Sequence, residues 1–66
     1  MLDARALRAE IARNGMTQGQ VAESIGMTAS TFSRKMKTNG FGLTEADAIV
    51  KLLGIQDPGA IFFAEQ

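Results

Sequence analysis

TQGQVAESIGMTASTFSRKMK, residues 17–37, contains two helix starts with one helix stop between them. Thr17 is a good N-cap, and Gln20 stands three residues on, the spacing of a capping box. Val21, Ala22 and Ile25 then recur at helical intervals and give the segment one apolar face. Gly26 falls where this first helix must stop, because glycine enters the left-handed conformation of a C′ position without steric cost. Thr28 caps a second helix, in which Phe32 and Met36 form a narrow inward stripe. Ala22 is small at the place where the two helices cross most closely. Two short helices held at a steep angle by a tight turn make a helix-turn-helix.

The flanks extend the same pattern. Asp3 is the N-cap of a preceding helix, with Leu2 and Leu7 at the spacing of a hydrophobic staple. Ala4, Leu7 and Ile11 point inward, Arg5, Arg8 and Arg13 read as solvated surface, and Asn14-Gly15 ends the helix. The staple repeats as Met16 with Val21 and again as Met27 with Phe32, which sets the angle at which each helix begins. Met16, Met27 and Met36 read as adaptable core filler. After Lys37, TNGFGL demands a loop, with Asn39-Gly40 as its turn pair and Phe41 as its anchor on the core. Thr44 is the expected cap of a fourth helix, and Ala46, Ile49, Val50, Leu52 and Leu53 form its broad apolar face. Gly54 ends it, with Ile55 covering the end. Asp57-Pro58 opens a short fifth helix carrying Ala60, Ile61, Phe62 and Phe63.

Composition bounds the rest. The chain has 66 residues, no Cys and no His, so neither a disulfide nor a His- or Cys-ligated zinc ion is available to staple a domain this small. Helix packing or dimerisation has to stabilise it. No apolar run approaches the ~18 residues of a membrane span, and MLDARALR does not read as a signal peptide. A cytoplasmic, single-domain protein over 1–66 without cofactor or metal is expected. Without His or Cys there is no Ser-His pair and no thiol nucleophile, so an enzyme is the least favoured class. Net charge is zero, yet no acidic residue falls between Ser24 and Thr44, where Arg34, Lys35 and Lys37 cluster. A neutral protein with one basic face can still bind DNA.

Gln18, Ala22, Gly26 and Phe32 fit the Q-x-x-x-A-x-x-x-G-x-x-x-x-x-hydrophobic skeleton, and here the chain resembles the lambda repressor and Cro-like (XRE) helix-turn-helix proteins. The resemblance runs over nearly the whole chain. It implies a compact, all-α, five-helix domain whose second motif helix enters the DNA major groove, as in small phage or prophage repressors. One departure is Lys35, which stands where the family has an apolar residue; the apolar partner of Phe32 comes one place later, at Met36. With Phe32 at zero and about 100° per residue, Met36 lies about 40° away, and Ser30, Arg34 and Lys37 lie within ~60° of the outward pole. Thr31 and Ser33 occupy the shoulders and Lys35 the flank.

Carried over onto these positions, the family's docking pose makes Ala29, Ser30 and Arg34 candidates for base contact. Gln18, Ser33, Lys35, Lys37 and Asn39 become candidates for contact with the DNA backbone. The expected partners are a double-stranded operator and a second copy of the chain in a homodimer, with no small-molecule ligand. Phe62 and Phe63 lie ~100° apart on a helix, so either one faces a twin while the other fills the core, or both are wedged into the monomer's own core. The rival reading is an antitoxin- or antirepressor-type module that uses the same frame to hold a protein.

Overall fold

A computed structural model describes residues 1–38 and 40–64. Among them are five helices and no strand: α1 (Ala4–Arg13), α2 (Gln18–Ser24), α3 (Ala29–Thr38), α4 (Leu43–Leu53) and α5 (Pro58–Phe62). None is long and apolar enough to cross a membrane.

Local chemistry sets most of these boundaries. Asp3 accepts the Ala6 N–H at 3.1 Å and starts α1. Thr17 accepts the Gln20 N–H at 3.1 Å while the Gln20 side chain accepts the Thr17 N–H at 2.8 Å, so the expected capping box closes. Thr28 accepts the Thr31 N–H at 3.2 Å ahead of α3, and Asp57 accepts the Ala60 N–H at 3.3 Å ahead of α5. The stops of α1, α2 and α4 share one device. Gly26 has φ 79°, and the next N–H, from Met27, reaches back to the Ala22 carbonyl at 2.8 Å. The same six-to-one bond joins Met16 to Ile11 after Gly15, and Ile55 to Val50 after Gly54. Met27 therefore ends α2 with its backbone and packs its side chain on the core immediately before the cap of α3. One residue serving both helices keeps the turn short.

The core draws on every helix: Leu7 and Ile11, Val21 and Ala22, Phe32 and Met36, Ala46, Ile49 and Leu53, then Ile55, Ile61 and Phe62. Leu7, Val21, Phe32 and Ile49 are completely buried, each contributing about 1.5–3 kcal/mol on transfer from water. Phe41 bridges the loop to this core, its ring 5.1 Å from Phe32 and 6.5 Å edge-on from Phe62. The two ends of the described chain pair, Asp3 N–H donating to the Ile61 carbonyl at 2.6 Å and Ala64 N–H to that of Met1 at 2.8 Å.

Three readings of the sequence need correction. Thr44 is not the cap of α4; Gly42 is, because Glu45 reaches back to accept the Gly42 N–H at 3.0 Å, and Thr44 falls inside the first turn. Leu52 is exposed, since the core face of α4 follows Ala46, Ile49 and Leu53 and turns Leu52 outward. Arg13 is more than solvated surface: it pairs with Glu10 and donates to the Leu53 carbonyl at 3.1 Å. Asn14 donates to the same carbonyl at 3.0 Å and to that of Glu10 at 2.8 Å. These two side chains satisfy the Leu53 carbonyl, one of the C-terminal carbonyls that have no partner within the helix. The Asn39-Gly40 turn involves a residue outside those described.

Candidate nucleic-acid interface

The face of α3 turned away from Phe32 and Met36 is built from short side chains followed by cations. Ser30, Arg34 and Lys37 are exposed, Thr31 and Ser33 half-buried on the shoulders, as the helical wheel requires. Ala29, in the first turn, is also exposed. Among the described residues neither the Arg34 guanidinium nor the Lys37 ammonium enters a hydrogen bond or ion pair. Both are held out to solvent by a helix whose opposite side is locked into the core. Thr38, which the sequence did not single out, lies exposed one turn beyond Arg34 and donates its hydroxyl to the Arg34 carbonyl at 3.0 Å.

The starts of α2 and α3 are adjacent. A Cβ built on Gly19 would stand 3.8 Å from that of Ala29, an ordinary contact. Gln18 therefore shares one end of the motif with Ala29 and Ser30. The Thr28 hydroxyl also donates to that of Thr31 at 2.8 Å, tying down the first turn of α3 beside these residues.

Lys35 stands apart from the other cations. Its ammonium lies 2.8 Å from each carboxylate oxygen of Glu45. This explains why a lysine holds a place that is apolar in the family resemblance. The position faces the start of α4, and the carboxylate there receives the charge. Glu45 is held by Lys35 first and by the Gly42 N–H second, and the two lower its pKa from the ordinary carboxylate value. A sequence signal for Glu45 existed in its place three residues after Gly42, the N3 position from which glutamate reaches back to a cap. Its pairing with Lys35 depends on how α4 packs beside α3, and no local pattern reports that. Asn39 falls outside the described residues.

Two short helices joined by Ile25–Thr28, the second presenting a basic, solvent-facing side, define a helix-turn-helix DNA-binding domain. The chain belongs to the family of the Cro/C1-type HTH DNA-binding domain, whose model matches residues 6–65. No curated protein and no solved structure matches it.

Proposed function

We propose that the protein is a sequence-specific transcriptional regulator, a Cro-like repressor of the phage or prophage kind, that binds a double-stranded operator with α3 in the major groove. The observation that carries the reading is the unpartnered pair Arg34 and Lys37 on the outward side of α3. Charges bound within a protein have little left for a ligand; these two are free to meet one. Ala29 and Ser30 are short enough to let the first turn enter deeply, and Arg34 is the two-pronged donor that matches guanine O6 and N7. Gln18, Ser33 and Lys37 are assigned to the sugar–phosphate backbone, where contacts set register without reading sequence. Selection from random duplexes at low salt should enrich a defined motif. Failure to enrich any would favour a module that holds a protein partner.

One such helix reads only a few base pairs, so the operator is expected to be two half-sites about 34 Å apart, bound by a homodimer. Support for the dimer comes from the α4–α5 side. Leu43 is 76% exposed and Phe63 62%, and with Phe41 and Phe62 they line a cleft of about 300 Å³. A projecting phenylalanine beside a cleft on the same surface suits the self-complementary contact of a two-fold dimer. Sedimentation should give a dimer that Phe63→Ser dissociates, with loss of operator affinity. A chain that stays monomeric at high concentration, and whose Phe63→Ser variant binds operator unchanged, would overturn the interface.

A further inference from the structure

Three ion pairs are present among the described residues, and one differs in kind. Arg13–Glu10 and Lys51–Asp47 lie within single helices. Lys35–Glu45 joins α3 to α4, its side chains 25% and 30% exposed. Glu45 is also fixed from behind, because the Gly42 N–H holds the same carboxylate. The acceptor is thus immobilised before Lys35 arrives, so the pair loses less side-chain freedom than a pair between two mobile surface groups.

Building on the DNA reading above, we propose that Glu45 withholds Lys35 from the phosphate backbone, making it a specificity-determining positioning residue of the interface. Lys35 follows directly on Arg34 in α3, and an unbound ammonium there has the reach of a four-carbon stem. A phosphate that captured it would have to displace both oxygens of a fixed carboxylate. It would also leave the negative charge of Glu45 uncompensated beside a polyanion. Held by Glu45, Lys35 releases no counterions when α3 docks. Phosphate contacts strengthen binding to every sequence alike, and they dominate non-specific affinity. Withholding one cation lowers that shared term while leaving Arg34 to its base. The ratio of operator to non-specific affinity rises accordingly.

A tie that merely stabilised the α3–α4 junction would alter melting without changing how binding responds to salt, so the salt slope is the discriminating measurement. Binding of the full chain is titrated across salt concentrations on a fixed random-sequence duplex and on the selected operator. Glu45→Gln keeps an oxygen for the Gly42 N–H but removes the charge. It should steepen the slope by about one unit per protomer, raise affinity for the random duplex at low salt and narrow the operator preference. Lys35→Met, which leaves the Gly42 cap intact, should leave the slope unchanged. Lys35→Met combined with Glu45→Gln should return it to the parent value. The proposal is overturned if Lys35→Met alone flattens the slope by about one unit, because Lys35 then already grips phosphate. A Glu45→Gln slope equal to the parent's overturns it too. A parent chain with no salt-dependent affinity for any duplex would instead bring down the DNA reading, and this proposal with it.

Discussion

Replacing Arg34 with alanine separates base reading from phosphate attraction. Arg34 is exposed on α3 and its guanidinium has no partner among the described residues. Removing it breaks no hydrogen bond or ion pair among the described residues, and alanine is if anything the better helix former. Folding stability should therefore move by no more than about 0.5 kcal/mol, the usual range for a surface substitution without such contacts. Any larger change in DNA affinity then reports the interface itself. A guanidinium bonded to guanine by two prongs is worth about 1–3 kcal/mol of discrimination, or roughly 5- to 150-fold at the operator. The assay is fluorescence anisotropy with the selected operator and with single-base variants of each half-site, run alongside a thermal melt. Arg34→Ala should lose affinity for the parent operator and become indifferent to one base pair per half-site. Lys is not a substitute, since a point charge cannot reproduce the fork. An equal loss on every variant would refute the reasoning and make Arg34 a phosphate clamp.

Other expectations concern the frame that holds this helix. Arg13→Ala and Asn14→Ala each leave the Leu53 carbonyl one donor, whereas the double variant leaves it none; chemical denaturation should show the double losing about 0.5–1 kcal/mol more than the sum of the singles. Gly26→Ala forces a side chain into φ 79°, where it costs about 1–2 kcal/mol, so its melting temperature should fall although no atom is crowded. The Glu45 carboxyl titrates below its ordinary value because Lys35, and then the Gly42 N–H, favour its charged form. Its contribution to stability is thus complete above the unfolded carboxylate's pKa and disappears as pH falls through the folded one. Melting temperatures measured across that acidic window should drop more for the parent than for Glu45→Gln, and a parallel decline would show that the pair adds nothing.

The fold was legible because local chemistry repeats at most junctions. Thr17 with Gln20, Asp3, Asp57-Pro58 and the three glycine stops each satisfy backbone groups within a few residues, so their meaning is written in short spacings. The outward direction of Arg34 and Lys37 followed from the helix period and the two core positions Phe32 and Met36. What could not be read was set by contacts distant in sequence. Nothing near Arg13 or Asn14 announces that the carbonyl of Leu53 will lie beside them, and nothing near Lys35 announces Glu45. The misplaced cap of α4 had a different origin. Thr44 is the better cap by residue type, but Gly42 paired with Glu45 at N3 begins the helix earlier. That start turns Leu43 out to solvent, beside Phe63.

A chain of zero net charge can present a basic surface only if its acids are occupied elsewhere, and here most of them are. Asp3 and Asp57 accept helix N-terminal N–H groups, where negative charge also meets the positive end of the helix dipole. Glu10 is bound by Arg13, Glu45 by Lys35 and Asp47 by Lys51. Of the described acids, Glu23 alone has neither a cap nor a cation. Among the described residues, the side-chain cations without an ion-pair partner are Arg5 and Arg8 on α1 and Arg34 and Lys37 on α3. Sorting opposite charges into local pairs removes their fields at a distance, since a closely matched pair in salt is screened within about 8–10 Å. The unpaired Arg34 and Lys37 then leave the outward face of α3 positive despite the overall neutrality, while the unpaired acid of the motif, Glu23, lies on α2. A strongly basic protein would gain more speed and affinity from phosphate, but on every sequence equally. On the proposed DNA reading, an interface with few free cations obtains more of its affinity from the bases it reads, the role proposed above for Arg34 and the short first turn of α3.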